Sequence, residues 1–274
     1  MSGAALFLDT TIQIERVVGS RARQAELRRE LAHYRLITST YILGEYLRTL
    51  VKDAILLHRL ALEHKHLDDI MTAIAQYPNK RVSSRMLLLW ANVYRRGRYD
   101  QQDILDQLDD YITFWLINRF LTGIDELLDG TECGLAGERP AAVGEFYRLR
   151  SQCTRRIKEC VLAERLAERR PELQAVADGL RDHPDSALAH IGALAARLLD
   201  EPDLVRGRNC TWYLGDLVIA LELPPEIPLY TTNHRHFESL CALLGKWLLH
   251  PEKVDQGKGN RNGDKTSEDS KGGK

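Results

Sequence analysis

The chain has 274 residues, of which 44% are apolar, and its formal net charge is -1 at pH 7. This length and composition allow one large domain or two small ones with a sizeable core. The near-zero charge excludes nucleic-acid binding through overall charge, so any contact with RNA or DNA needs a local basic patch.

The first part of the chain predicts alternating short strands and amphipathic helices. The strands are expected at residues 5–9 and 35–39, and the helices at residues 11–18, 21–34 and from 40 onward. Ser39 or Thr40 can cap the third helix, which carries Glu45. This order is typical of an α/β fold, in which crossover helices connect parallel strands.

The middle of the chain, residues 56–200, predicts almost only helix. Apolar residues recur three and four positions apart, and the breaks between the periodic segments are rich in Gly, Pro, Asp and Asn. We therefore expect a large all-α insertion. Partner binding, clamping of RNA and shielding of a site are all open roles for it.

The last part returns to the α/β pattern. Residues 201–251 predict helix, strand, helix and a short final strand, which would complete a discontinuous core with residues 1–55. Residues 252–274 have no apolar side chain after Val254, so we expect a disordered tail that cannot offset its ordering entropy.

The cysteines and the apolar runs indicate the compartment. Five cysteines occur without a CxxC pair, which argues against a disulfide scaffold or a zinc ribbon. The N-terminus does not have the pattern of a signal peptide, and no apolar run approaches the length of a membrane span. We expect a cytoplasmic protein without membrane contact.

Four polar residues occupy distinctive positions in the two α/β segments. Asp9 ends the first strand, and Asn233 lies just past the strand that follows the helix with Asp216. Glu45 lies early in the helix after the second strand. Because open α/β sheets build their sites at the carboxyl ends of the strands, these side chains are expected to converge.

Converging carboxylates repel one another, and a divalent cation removes that cost. Oxygen ligands of this type suit Mg²⁺ or Mn²⁺, which bind few protein groups and keep several waters. Such an ion can activate a bound water and neutralise charge on a phosphate. Three acids and an amide, without paired cysteines or histidines, therefore point to metal-dependent phosphodiester hydrolysis. The expected metal ligands are Asp9, Glu45 and Asp216.

The same segments resemble the PIN-domain nucleases, a family of metal-dependent ribonucleases that includes VapC-type toxins. The resemblance covers roughly residues 4–55 and 205–250, through "LFLDTT", "ITSTYILGEYLRTL" and "GDLVIALELPPEIPLYTTNHRHFESL". The residues that match the family pattern are Asp9, Thr10, Glu45, Asp216, Thr231, Asn233 and Phe237. The resemblance implies a three-layer α/β/α core with a short parallel sheet and a catalytic set of Asp9, Glu45, Asp216 and Asn233.

The resemblance also implies RNA as substrate, a toxin or defence role, and an antitoxin or other protein partner that could bind the helical insertion. A homodimer is kept as an open alternative to the monomer. Two features depart from the family pattern. Typical members are about half as long, and many have an acid where this chain has His236. That difference leaves open a single-metal or weakened site.

Each acid of the set also has a structural interpretation. Asp9 could cap the following helix, and Glu45 could be a solvated residue paired with Arg48. Asp216 lies among apolar neighbours, where an unpaired carboxylate is costly, so the functional interpretation is preferred for it. Asn233 could be only a turn residue.

Further residues are candidates for substrate binding. Thr10 and Thr231 could support the acids, and His236 follows Asn233 closely. Arg206 and Arg208 precede the helix with Asp216, so they are expected to lie near the site and to contact phosphates.

Two other basic clusters, at residues 94–99 and 148–158, could bind a phosphate backbone, although a solvated surface is the commoner explanation.

The sequence thus supports a metal-dependent ribonuclease. The alternatives are a catalytically inactive PIN-like scaffold that binds RNA or a protein and, with less support, a flap-type DNA nuclease.

Overall fold

The computed structural model describes residues 4–94, 100–150, 160–206 and 214–249. Seven strands lie in these ranges: β1 (Ala5–Leu8), β2 (Arg35–Ser39), β3 (Glu126–Leu128), β4 (Ala141–Val143), β5 (Phe146–Arg148), β6 (Leu229–Tyr230) and β7 (Leu248–Leu249). The predicted tail at residues 252–274 lies outside the described residues.

Most of the described chain is helical. The helices are α1 (Thr10–Val18), α2 (Arg21–Leu31), α3 (Thr40–Tyr46), α4 (Lys52–Glu63), α5 (Leu67–Ala75), α6 (Lys80–Val93), α7 (Gln101–Asp110), α8 (Leu116–Leu121), α9 (Leu162–Glu168), α10 (Arg170–Gly179), α11 (Ser186–Asp200), α12 (Leu214–Glu222) and α13 (His234–Leu243). π-Helical turns at Leu47–Val51 and Tyr111–Trp115 join α3 to α4 and α7 to α8. None of the described helices is long and apolar enough to cross a bilayer.

Five parallel strands form the main sheet in the order β3-β2-β1-β6-β7. The central strand β1 pairs with β2 through Leu6 and Leu36, and with β6 through Phe7 and Leu229. Strands from both ends of the chain are therefore neighbours. The predicted α/β class and all four strands predicted from the sequence are confirmed.

Strand β1 is apolar throughout because both of its faces are covered. Phe7 packs into the larger of two apolar clusters, whereas Leu6 and Leu8 pack into a smaller one with Leu27 of α2. Successive side chains of a strand point to opposite faces, so this division places helices on both sides of the sheet.

Two strand-to-helix junctions at the carboxyl edge of the sheet are fixed by caps. The Asp9 carboxylate accepts a hydrogen bond from the backbone N–H of Ile12 at 3.0 Å, which begins α1. The Ser39 hydroxyl accepts one from Ile42 at 3.3 Å, which begins α3 and confirms one of the two predicted caps.

The prediction that residues 56–200 are almost only helical is wrong at three strands. Strand β3 pairs in parallel with β2 at the edge of the main sheet. Strands β4 and β5 form an antiparallel hairpin, although their apolar spacing predicted a helix. Gly144 occupies the two-residue turn with a φ of 64°, which a hairpin turn of this length favours. Strands of three residues are too short to show a period of their own.

Apolar residues of the predicted insertion pack into the same large cluster as the sheet. Leu57, Leu108 and Phe120 belong to the cluster that contains Phe7. The helices are thus continuous with the α/β core through packing, and the division of the chain into domains stays a prediction.

Candidate functional site

The carboxyl edge of the sheet brings Asp9 and Thr231 together. Asp9 directly follows β1, and Thr231 directly follows the neighbouring strand β6. The buried Thr231 hydroxyl donates a hydrogen bond of 2.6 Å to Oδ2 of Asp9. Residues more than two hundred positions apart in the chain therefore share one buried contact.

Asp9 is only 2% exposed, and both of its carboxylate oxygens accept hydrogen bonds. Its Oδ1 binds the Ile12 N–H and, at 2.8 Å, the Thr11 hydroxyl. Burial raises the pKa of Asp9 to about 7. The hydrogen bonds from Thr231, Ile12 and Thr11 lower this pKa, and the negative charge of Glu45 raises it further. Asp9 is thus both the cap of α1 and part of an electrostatically coupled cluster.

Glu45 lies on α3, partly buried, and accepts a hydrogen bond from the Thr10 hydroxyl. Burial raises the pKa of Glu45; the charge of Asp216 adds to this effect, and the charge of Arg48 opposes it. The interpretation of Glu45 as a plain solvated residue therefore does not describe its environment.

A glycine allows α12 to approach Glu45 closely. A Cβ atom placed at Gly215 would lie 2.8 Å from Oε1 of Glu45, closer than two such atoms normally come. The helix can therefore pass directly beside this carboxylate, and Asp216 follows at the next position.

Asp216 lies in the first turn of α12 with 27% of its side chain exposed. Its Oδ2 accepts a hydrogen bond of 3.2 Å from Nδ2 of Asn233 and lies 2.6 Å from Nδ1 of His236. This hydrogen bond raises the pKa of His236, so the imidazolium form and its ion pair with Asp216 are favoured. His236 thus partly neutralises Asp216.

Asn233 connects Asp216 to Asp9. Its backbone N–H donates to the Thr231 hydroxyl at 2.9 Å, and that hydroxyl donates in turn to Asp9. Although Asn233 precedes α13, its side chain makes no capping hydrogen bond to that helix. The amide therefore serves the acid cluster, which a turn residue alone would not explain.

The structure thus brings together the four residues expected to form the catalytic set, which are Asp9, Glu45, Asp216 and Asn233. Thr10 and Thr231, expected as supporting residues, each donate to one of the acids. His236 also contacts the cluster through Asp216.

The donor chemistry of this cluster fits a divalent cation, since carboxylates whose mutual repulsion and burial raise their pKa are stabilised by positive charge. Within the described ranges, however, no group of three or more His, Cys, Asp or Glu side chains has the arrangement of a metal centre. Asp9 is held by protein donors, and Asp216 is held by His236. These side chains would have to exchange hydrogen bonds for metal contacts.

The predicted basic groups are less closely tied to the cluster. Arg206 forms ion pairs with Asp203, at 2.6 Å, and with Glu164. Arg150 pairs with Glu138, and Arg148 lies on β5. Arg208, the arginines at positions 95, 96 and 98, and residues 151–159 lie outside the described residues.

Sequence reasoning missed two polar residues near this edge. Thr11 links the strand ends, because its hydroxyl donates to Asp9 and accepts from the Thr232 N–H at 3.2 Å. Glu222, at the end of α12, accepts a hydrogen bond of 2.6 Å from Ser39, and burial raises its pKa to about 7. Glu222 gave the same signal as Asp216, an acid in an apolar helical turn.

No family model matches the sequence, and no significant match was found among curated proteins or solved structures.

Proposed function

We propose that the chain is a Mg²⁺- or Mn²⁺-dependent ribonuclease with a PIN-like core. The observation that supports this proposal best is the hydrogen-bonded connection from Asp9 through Thr231 and Asn233 to Asp216. It joins acids from the two ends of the chain at the carboxyl edge of a parallel sheet, where open α/β folds build their sites. Glu45 completes the set through its coupling to both acids.

Asp9, Glu45 and Asp216 would hold the metal in this proposal. A bound divalent ion activates a water for attack on phosphorus and neutralises charge on the phosphate. Thr231 fixes the Asp9 carboxylate, and Thr10 fixes that of Glu45. The raised pKa of Asp9 means that metal binding displaces protons near neutral pH, so activity should increase as the pH rises through about 7.

The direct test is cleavage of single-stranded RNA by the purified full chain. We expect cutting with Mn²⁺ or Mg²⁺ that EDTA abolishes, and a loss of about a hundredfold or more in Asp9→Asn or Asp216→Asn. Asp182→Asn is the matched control, because Asp182 is an exposed acid in a turn. If both site variants cut as fast as the control, the assigned site is wrong.

The ion pair between Asp216 and His236 favours a second candidate, an inactive PIN-like scaffold that binds RNA or a protein. The imidazole holds Oδ2 of Asp216, one of the two oxygens through which this carboxylate could bind a cation. Titration of the full chain with Mn²⁺ by calorimetry at mildly alkaline pH separates the two candidates. Binding that is lost in Asp216→Asn supports the nuclease, whereas RNA binding without metal binding or cleavage supports the scaffold.

The cellular role that follows from a ribonuclease of this type is that of a toxin or a defence effector, with an antitoxin as protein partner. Induced expression of the chain should then arrest growth, and Asp9→Asn should relieve the arrest. Equal toxicity of the variant would contradict this role, and an antitoxin-like reading frame beside the gene would support it.

A further inference from the structure

A large groove lies alongside α4 and includes Arg48, whose charge acts on Glu45 of the proposed site. Its volume is about 660 Å³, which is in the range of binding pockets for drug-sized ligands, about 300–1,000 Å³. Its walls come from α4, the turn before it, α6, the connection between α5 and α6, and the β4–β5 hairpin. Its polar lining consists of Arg48, Lys52, Asp53, His58, Arg59, Arg85 and Arg148, and its apolar and aromatic lining of Ile55, Leu56, Tyr77, Val82, Val143, Phe146 and Tyr147.

Positive charge is concentrated in this groove. Five arginines and lysines line it together with one acid, Asp53, although the whole chain has a formal net charge of -1. Acids outside the lining take up part of this charge, because Arg59 pairs with Glu63 at 2.7 Å and His58 with Asp109 at 2.9 Å. Asp53 is itself neutralised by Arg85, whose Nε lies 2.5 Å from its carboxylate. The other positive charges of the lining, on Arg48, Lys52 and Arg148, make the groove a local basic patch of the kind that binding of a polyanion requires.

Aromatic side chains lie between the basic residues. Tyr77, Phe146 and Tyr147 line the groove, and Phe146 is 47% exposed at the hairpin. Val143, which pairs with Phe146 across the hairpin, is also 44% exposed. An exposed ring beside arginine and lysine is the arrangement on which unpaired bases stack while their phosphates are neutralised.

One helical face connects the groove to the acid cluster. Arg48, Lys52 and Arg59 lie three, seven and fourteen residues after Glu45, so they are on roughly the same side of the run formed by α3, the π-helical turn and α4. Arg48 is close enough to Glu45 to oppose the rise in the pKa of that acid. At about 1.5 Å per residue, the basic face extends about 20 Å from Glu45.

We propose that this groove binds single-stranded RNA and guides its backbone to the acid cluster at Glu45. The inference rests on the proposed ribonuclease function and adds the path of the substrate. Lys52 and Arg148 contact phosphates, and Phe146 stacks on a base. Recognition by charge and stacking makes the groove tolerant of sequence, because every base has a π-face.

The test measures binding of a short fluorescein-labelled single-stranded RNA to the full chain in EDTA, so that no cleavage occurs. Lys52→Gln and Arg148→Gln should each weaken binding and lower the slope of log affinity against log salt by about 0.7. Phe146→Ala should weaken binding about tenfold or more, with the salt slope unchanged. The matched controls are Arg29→Gln on α2 and Phe114→Ala, whose ring is 57% exposed outside the groove.

Binding equal to that of the controls in all three groove variants would overturn the inference. A second result would also overturn it: poly-glutamate binds the wild type as tightly as the RNA does, and Phe146→Ala does not change that binding. This result would indicate an acidic protein partner. The altered side chains lie at the surface of the groove, and thermal melts of each variant verify folding.

Cleavage separates this inference from the proposed function. Loss of RNA binding in the groove variants of a chain that does not cleave refutes the nuclease and supports the groove. Cleavage with an unchanged KM in the groove variants refutes the groove and leaves the nuclease intact.

Discussion

Replacing Asp9 by Asn should change the stability of the metal-free protein with opposite signs at low and high pH. Asp9 has a folded-state pKa of about 7, compared with an ordinary value of 3.8. Between these two values the folded protein holds a proton that the unfolded chain releases, so stability falls as the pH rises. Because asparagine cannot ionise, the variant does not lose stability in this way as the pH rises.

The magnitude follows from the shift. One pKa unit corresponds to about 1.36 kcal/mol, so the shift of about three units costs the wild type about 4 kcal/mol above pH 7 and well under about 1 kcal/mol near pH 4. The substitution itself removes an acceptor for the Thr231 hydroxyl, at a cost of about 0.5–1.5 kcal/mol. We therefore expect Asp9→Asn to be less stable by about 1 kcal/mol near pH 4 and more stable by about 2–3 kcal/mol near pH 8.

Urea denaturation in EDTA, repeated across this pH range for wild type and variant, measures the difference directly. A buried carboxylate that is not coupled to Asp9, such as Glu222, titrates in both proteins and cancels in the comparison. A difference in unfolding free energy that stays constant from low to high pH would refute the assigned burial and pKa of Asp9. Adding Mg²⁺ at alkaline pH should then stabilise the wild type but not Asp9→Asn, because only the ionised carboxylate set attracts the cation.

Three further predictions concern residues around the cluster. Gly215→Ala should preserve or raise Tm, since alanine favours the helix by about 1 kcal/mol. The same substitution should lower the cleavage rate about tenfold or more, because the new Cβ atom displaces the Glu45 carboxylate. An unchanged cleavage rate would mean that Glu45 moves freely. His236→Ala should make Mn²⁺ affinity less dependent on pH, because in the wild type the ion pair with Asp216 persists until the pH passes the raised pKa of His236. Calorimetric titrations with parallel pH profiles in both proteins would contradict that role. Glu222→Gln should stabilise the protein above about pH 7, where the buried wild-type carboxylate ionises, and urea curves that coincide at alkaline pH would show that it stays protonated or solvated.

The residues of the candidate site were found from sequence because each gave a local signal. Asp9 ends an apolar run too short for a helix, and Asp216 interrupts an apolar helical turn. The order of these signals along the chain resembled a family pattern that also contained Glu45 and Asn233. Glu222 gave a signal as clear as that of Asp216 but lay outside the pattern and was passed over.

Elements that are defined by strand pairing within residues 56–200 were not predicted. Strand β3 has three residues and exists through its pairing with β2. The β4–β5 segment has helical apolar spacing, yet the turn at Gly144 folds it into a hairpin that carries Phe146 to the groove. The groove likewise combines residues from separate parts of the chain, none of which is distinctive alone.

The sequence by itself determined the α/β class and the four strands at the chain ends and proposed the acids of the candidate site, because hydrophobic period and caps are local properties of the chain. The tertiary structure alone decided that Asp9 shares a hydrogen bond with Thr231, that His236 pairs with Asp216, and that basic and aromatic side chains line one groove beside Glu45. The physical reason is that burial, ion pairing and the resulting pKa depend on which remote groups the fold places within a few ångströms.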